Sequence, residues 1–275
     1  SEVPDGATKK SESVRSEWKE KIAEEVEGVP VPKGFTYKEG TKDTGLVIQD
    51  AKGNEFVWVP ANESTYVKDT SFPSRDNIKP TGDDTLPNGI TEETVDVKKY
   101  GGFYIGRYEA GIPEGDTSPS NKTGIPVSKK GEIVWSGINY TNAKANAEKM
   151  INNEYVQTGL LTGKAWDTVC HWIKSDDELK DSRTYGNYNN SLAPANENSG
   201  TRRTAGFNEN WKVKNIYDLA GNVWEWTSEA NSSDFILRGG SSYGNGSGFP
   251  VSSRYNYIAS STDGYVGFRS RLYIK

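Results

Sequence analysis

Two neighbouring residues have the strongest potential for covalent chemistry: Cys170 and His171 are each the only residue of their type among 275. A single cysteine forms neither an intrachain disulfide nor a cysteine-based metal site. Between Val169 and Trp172, we expect Cys170 to be a buried small hydrophobic residue, the alternative being a catalytic thiol. Any Ser-His-Asp triad would need His171, and its position inside a predicted helix argues against that role.

The composition of residues 239–265 indicates a binding loop. Nineteen of these 27 residues are Gly, Ser, Tyr or Asn. Tyrosine supplies rigid amphipathic contact area, and Ser, Gly and Asn adapt around it, as in known binding loops. The alternative is a long surface loop under weak constraint.

Charge argues against a nucleic-acid partner, and hydropathy argues against a membrane span within the sequence. The net charge is −5, without the dense basic patch that nucleic-acid binding requires. No run approaches the ~20 apolar residues of a membrane span, and no signal peptide is evident. Because the chain opens SEVPDG, without Met, we expect a trimmed or mature fragment.

Short strands and two central helices are expected to position the loops. Eight Trp and fifteen Tyr must fill much of the core. Alternating patterns predict strands within residues 35–40, 45–50, 54–60, 100–111, 224–226, 235–238 and 266–275, with a hairpin turn at residues 50–55. Helices are predicted at 136–151 and 162–174, and polar, irregular chain at 61–98 and 176–210. The pattern predicts an α+β fold.

The N-terminal segment has a different pattern. Val14, Trp18, Ile22 and Val26 recur every four residues and predict an amphipathic helix over residues 11–27, after a flexible start at residues 1–9. Two interpretations remain open: a helix packed on its own domain, or a tether from a membrane or pilus-like anchor. Residues 1–33 therefore form a predicted N-terminal unit, and residues 34–275 a predicted single domain.

Several motifs in order carry a family resemblance. DLAGNVWEWT, EFVWVP, GGFYIGRYEA, RGGS and VGFR resemble those of the formylglycine-generating enzymes (sulfatase-modifying factors), and the likeness spans roughly residues 34–275. It implies a C-type-lectin-like fold with two helices and long irregular loops. Within these motifs, Gly239 and Gly240 predict positive φ or close backbone approach. Arg269 is expected to stack and to bind backbone carbonyls.

The resemblance also implies a structural calcium site. Its ligands would be Asp218, the carbonyls of Gly221 and Val223, and Glu225, a mixture of carboxylate and carbonyl oxygens that suits calcium. The alternative is that Glu225 bonds only local backbone amides.

The enzymes' chemistry is not expected here. They use a Cys pair to bind copper, and an ungapped alignment brings Gly244 and Phe249 to those positions. Glycine cannot replace a thiolate, so we expect neither copper nor oxidase activity.

The chain instead resembles the non-catalytic variable proteins of diversity-generating retroelements, whose variable region lies near the C-terminus. That resemblance implies a hypervariable surface that binds an unknown protein or glycan, outside the cell, on the cell surface or on a phage particle. The candidate contact residues are Ser242, Tyr243, Asn245, Ser247, Phe249, Ser253, Tyr255, Asn256, Tyr257, Ser260, Ser261, Asp263 and Tyr265. Tyr255 and Tyr257 have the alternative of core packing. A fixed-specificity adhesion module and a divergent enzyme of the superfamily are the two alternative functions.

Overall fold

The computed structural model describes residues 13–75, 90–120 and 122–275; the predicted flexible start at residues 1–9 lies outside them. The predicted α+β class is confirmed. In chain order, the strands are β1 Ile22–Val26, β2 Val29–Pro32, β3 Phe35–Glu39, β4 Val47–Asp50, β5 Glu55–Pro60, β6 Gly102–Gly106, β7 Val156–Leu160, β8 Lys212–Val213, β9 Ile216–Tyr217, β10 Trp224–Asn231, β11 Asp234–Arg238, β12 Arg254–Ile258, β13 Val266–Phe268 and β14 Ser270–Ile274. The α-helices are α1 Ile90–Tyr100, α2 Tyr140–Met150 and α3 Gly163–Ile173.

Two larger sheets carry these elements. One has the order β3-β4-β5-β6-β14-β7, and the other the order β12-β11-β10-β13. The predicted turn between β4 and β5 is confirmed, since the Asp50 carboxylate accepts hydrogen bonds from the backbone N–H groups of Lys52 (3.0 Å) and Asn54 (2.8 Å). In the four-stranded sheet, β12 lies at the edge and β10 pairs in parallel with β13. This sheet carries the candidate loops.

Aromatic rings fill the core, as the composition predicts. Five tryptophans, Trp58, Trp135, Trp166, Trp211 and Trp226, rank among the largest fully buried side chains. α2 and α3 are confirmed, and α2 buries Ala143, Ala147 and Met150 on one face. No helix in the described ranges is long and apolar enough to cross a bilayer.

The helix predicted over residues 11–27 is wrong. Its described part forms a single 3₁₀ turn at Ser16–Trp18 and then the antiparallel hairpin of β1 and β2. Glu27 (φ 54°) and Gly28 (φ 78°) have left-handed backbone conformations at the two turn positions, which is the geometry of a two-residue hairpin turn. Residues four apart share one face of a strand as well as of a helix, so the spacing of Ile22 and Val26 fits either element.

The hairpin packs against the rest of the chain. Trp18 lies 5.2 Å from the ring of Tyr100. Ile22 and Val26 share a hydrophobic cluster with Phe56 of β5 and Leu272 of β14. The described part of residues 13–33 therefore covers one face of the six-stranded sheet.

The first nine residues of α1 fall inside the segment 61–98 that was expected to be irregular, of which residues 76–89 lie outside the described ranges. The sequence of α1, ITEETVDVKKY, shows no apolar stripe because two of its four fully or nearly buried side chains are acidic, Glu93 and Asp96. Glu93 accepts hydrogen bonds from the hydroxyls of Tyr66 (2.5 Å) and Thr162 (2.6 Å), and Asp96 accepts one from the backbone N–H of Ile274 (3.2 Å). Polar partners thus replace apolar packing on this face.

The buried carboxyl of Asp96 predicts a fall in stability as the pH rises. Burial raises the pKa of Asp96 well above its usual range, so the folded state holds a proton that the unfolded chain releases. Stability is then lost as the pH rises from the ordinary carboxyl range toward the raised pKa. Asp96→Asn keeps an acceptor for Ile274 and removes the titration. We expect a smaller drop in the unfolding temperature between about pH 5 and about pH 8 than in the wild type. Glu63→Gln, which removes an exposed carboxylate paired with Lys98 of the same helix, is the control; an equal change in both variants contradicts this assignment.

Candidate binding surface

Aromatic side chains from separate segments meet around one pocket of about 590 Å³. Pockets that hold small ligands commonly fall between about 300 and 1,000 Å³. The strand β10 provides one ring, the loop after β11 two, the strand β12 two, and the loop before β13 one. The rings belong to Trp224, Tyr243, Phe249, Tyr255, Tyr257 and Tyr265, and the charged side chains at the pocket are Arg75 and Asp263.

Trp224 forms the floor of the pocket. It is 9% exposed, and its ring lies 5.7 Å from Phe249, edge to face, and 5.4 Å from Tyr255. At the rim, Tyr243 and Tyr265 pair at 5.4 Å and are 74% and 36% exposed. The pocket therefore has a packed floor and an open aromatic edge.

Alternation along β12 directs Tyr255 and Tyr257 to the same face. Their rings are 6.3 Å apart, and Tyr257 also lies 5.7 Å from Trp226. Both tyrosines are partly buried against the neighbouring hydrophobic cluster, and both line the pocket. Core packing and pocket lining, set out as alternatives from the sequence, occur together.

The remaining candidates do not line this pocket. Ser242 and Ser253 are buried, 0% and 2% exposed, so the prediction of surface positions is wrong for these two. The reason is local. The backbone N–H of Ser242 donates to the carbonyl of Asn222 (2.9 Å), and Ser253 lies in a turn directly before the buried Arg254. Both serines leave the surface because their backbones anchor the loop ends.

Asn245 and Ser247 act within their own loop. The Asn245 side-chain oxygen accepts hydrogen bonds from the backbone N–H and hydroxyl of Ser247 (3.0 and 2.9 Å) and from the N–H of Gly248 (2.7 Å). By alternation, Asn256 lies on the opposite face of β12 from the tyrosines. Ser260 is exposed and Ser261 partly exposed, beyond the end of the strand.

Two glycines fix the start of the loop. Gly239 (φ 95°) and Gly240 (φ 79°) have left-handed backbones. A Cβ atom on Gly239 would lie 2.4 Å from the carbonyl oxygen of Leu219, and one on Gly240 would lie 2.4 Å from that of Phe249. The predictions of positive φ and of close approach are both confirmed.

A buried cluster of four charges lies next to the loop. Arg238 of β11 and Arg254 of β12 bind the two oxygens of Asp167 on α3, at 2.7 and 2.5 Å. Arg254 also reaches Glu229 of β10 at 3.1 Å. All four side chains are 1% exposed or less. Despite both guanidiniums, burial raises the pKa of Asp167.

The charge cluster reaches outward through Arg254. Its guanidinium donates to the carbonyl of Asp69 (2.9 Å), and its backbone N–H donates to that of Pro73 (2.8 Å). These bonds bring the segment after β5 to the edge of β12, where the Arg75 guanidinium lies over the Tyr255 ring at 4.5 Å. No sequence signal links Arg75 to residues 239–265. Trp224 lies in the predicted strand segment 224–226, and no sequence signal marks it as part of a pocket.

Other residues of the protein already bind oxygens of the two predicted calcium-ligating carboxylates. Both oxygens of Glu225 are bonded by Arg269, at 2.8 and 3.2 Å. One oxygen of Asp218 accepts the N–H of Gly206 (3.0 Å), and the other has no hydrogen-bond partner among the described residues. No group of three or more His, Cys, Asp or Glu side chains in the described chain is arranged to hold a metal. A calcium ion at this position would have to share Glu225 with Arg269, which weakens the case for the ion there.

Arg269 itself behaves as predicted toward the backbone. It donates to the carbonyls of Gly106 (3.0 Å) and Tyr217 (2.7 Å), in addition to its ion pair with Glu225. It therefore joins the two larger sheets at the point where β13 leads into β14.

Cys170 is buried in α3, as expected, and burial raises the pKa of its thiol to about 12. His171 lies on the exposed side of the same helix. Its Nε2 is 2.7 Å from the Asp69 carboxylate, and its ring stacks on Phe72 at 5.0 Å. Its described contacts hold the segment after β5 and assemble no triad.

Comparison with solved structures finds likenesses in fold at low sequence identity. Variable protein 1 from Treponema denticola is 14% identical; the match covers 88% of this chain and 99% of that one, with a TM-score of 0.45. PvdO from Pseudomonas aeruginosa is 15% identical, over 86% of this chain and 100% of that one, with a TM-score of 0.47. No family model and no curated protein matches the sequence. The likenesses concern the fold, and they say nothing of the function.

Replacing one buried charge should lower the stability far more than replacing a residue at the pocket rim. Arg254→Met would leave Asp167 and Glu229 short of a counter-charge, which commonly costs about 3–5 kcal/mol of unfolding free energy. Tyr243→Ser, at the exposed rim, should change it by about 0.5 kcal/mol or less. Urea unfolding of both variants measures the difference. A wild-type midpoint for Arg254→Met would show that the cluster does not hold β12.

Calcium should leave the stability unchanged. An ion that binds only the folded state adds about 2.7 kcal/mol at a hundredfold excess over its dissociation constant. We expect equal unfolding temperatures in calcium and in a calcium chelator, because Arg269 already occupies Glu225. A higher temperature in calcium that is lost in Asp218→Ala would contradict this expectation.

Proposed function

We propose that this chain is a non-catalytic binding protein whose ligand contacts the aromatic pocket and the exposed loops around it. The observation that carries the proposal is the convergence of six rings from separate segments on one pocket. Aromatic anchors surrounded by small polar residues are typical of protein recognition sites. The backbones that carry these rings are held by Gly239, Gly240 and the buried Arg254, so the site is organised before a ligand arrives.

The proposal assigns no reaction to the site. The chain has one cysteine, so it lacks a Cys pair. Cys170 is a buried neutral thiol, because its pKa of about 12 keeps it protonated at physiological pH. The residues that line the pocket include a single carboxylate in the described chain, Asp263, which leaves no carboxylate pair for acid–base catalysis.

The proposal also includes diversification of the exposed residues around the pocket. The exposed rim residues tolerate exchange because surface substitutions usually change stability by about 0.5 kcal/mol or less. A retroelement that rewrites these codons would then alter the ligand without unfolding the scaffold. Such a protein acts outside the cell, on the cell surface or on a phage particle, where its ligands are.

Sequencing the gene across a natural population tests the proposal. We expect substitutions at the exposed rim positions Tyr243 and Tyr265, in codons that hold adenine in a template copy nearby. The buried Arg254 should be invariant, although it lies within the same stretch. A loop as uniform as DLAGNVWEWT would reject diversification and leave a binding module of fixed specificity.

A display library tests binding itself. The exposed pocket positions would be randomised and the library selected against unrelated proteins. Folded binders should emerge, and restoring the original residues should abolish their binding. The matched library randomises exposed residues of the β4–β5 turn. Binders at equal frequency from both libraries would contradict a dedicated surface.

A further inference from the structure

The charges and rings of the aromatic pocket point to the chemical group that it takes. We infer that the pocket binds a guanidinium or alkylammonium group, carried by an arginine or lysine side chain of a partner protein. This inference rests on the proposed binding function of the same surface, and it adds the ligand class.

The rings supply the first argument. The faces of aromatic rings are electron-rich and attract cations that lie within about 6 Å of the ring centre. Six rings line this one pocket, and several contact each other through tilted or edge arrangements: Trp224–Phe249, Trp224–Tyr255 and Tyr243–Tyr265. Because the planes are inclined to one another, they surround a volume instead of stacking shut.

Asp263 supplies the second argument. Among the described residues that line the pocket, it is the one carboxylate. One of its oxygens accepts the backbone N–H of Tyr265 at 2.7 Å, which fixes the side chain beside the exposed rim. A carboxylate next to several ring faces is the arrangement that favours a bound cation over a neutral ligand.

Arg75 supplies the third argument, since the pocket already attracts a cation of its own chain. The Arg75 guanidinium lies 4.5 Å from the centre of the Tyr255 ring. It is an exposed residue of the segment after β5. Arg75 therefore occupies one ring face and adds a positive charge to the pocket that Asp263 also lines, so it competes with an incoming cation. Removing it should strengthen cation binding.

The overall charge favours a basic partner surface. The chain carries 38 acidic residues (Asp and Glu) and 33 basic residues (Lys and Arg). A net negative protein attracts basic surfaces and speeds their encounter. A basic side chain projecting from such a surface would bring its charge to the pocket between Tyr243 and Asp263.

The test uses a pair of peptides that differ in charge alone. Gly-Arg-Gly carries the guanidinium, and Gly-citrulline-Gly has the same shape with a neutral urea. Titration calorimetry would measure both against the full chain and its variants Arg75→Gln and Asp263→Asn. Lys52→Gln, on the β4–β5 turn, is the control that changes net charge equally away from the pocket. Asp263→Asn retains an acceptor for Tyr265 and preserves the turn.

We expect the arginine peptide to bind and the citrulline peptide to bind more weakly. Freeing one ring face should make the Arg75→Gln variant bind the arginine peptide about 2–5-fold more tightly, the factor that a cation–π contact corresponds to. Asp263→Asn should bind it more weakly than the wild type, and Lys52→Gln should match the wild type.

Three results would overturn the inference. One is equal binding of both peptides. Another is no binding of the arginine peptide by either the wild type or Arg75→Gln. The third is preferential binding of Gly-Glu-Gly, or of a neutral sugar such as methyl glucoside. If these results occur but the randomised pocket library still yields folded binders, the proposed binding function stands and only the cationic ligand class is rejected. Failure of that library would reject the proposed function itself.

Discussion

The structure around the candidate surface depends on one interaction, the buried contact of Arg238 and Arg254 with Asp167 and Glu229. It joins α3 to three adjacent strands, β10, β11 and β12, at distances down to 2.5 Å. Removing four charges from water is unfavourable, and only close geometry with further hydrogen bonds offsets the cost. Both arginines meet that condition, since Arg238 also donates to the carbonyls of Ser252 and Ser253.

The position of this cluster explains how an edge strand can carry a binding site. Edge strands are usually the less restrained part of a sheet. Here β12 begins at Arg254, so its first residue is fixed from inside while Tyr255 and Tyr257 face the pocket. Arg269 fixes the other side of the same sheet through Glu225 and the carbonyls of Gly106 and Tyr217. Two arginines, one at each side, hold the loops whose residues the ligand would contact.

Much of this arrangement could be predicted from the sequence, and the failures have physical causes. The strands β3 to β6, the start of β10, β11, β13 and β14, the two helices with apolar faces and the glycines after β11 were predicted. The strands β7 and β12 were not, and β12 lies in a stretch that was predicted as a loop. α1 was missed because Glu93 and Asp96 bury polar groups, which an apolar pattern cannot reveal. The N-terminal helix was wrong because a spacing of four fits one face of a strand as well as one face of a helix, so the pattern could not separate the two. Six of the thirteen candidate contacts line the pocket, but Arg75 comes from a distant segment, and only tertiary structure brings it to Tyr255.

The same geometry limits which pocket residues are free to change. Tyr243 is 74% exposed and its ring pairs with that of Tyr265 at the rim, so its exchange alters the rim. Tyr255 and Tyr257 pack on Trp224 and Trp226 as well as lining the pocket, so a smaller side chain there would open a cavity in the hydrophobic cluster, at a cost that grows with its volume. Tolerance for substitution must therefore decrease from the rim to the floor. The proposed variation at the rim would therefore leave the aromatic floor in place, so the proposed ligand chemistry and a changeable specificity are compatible in one pocket.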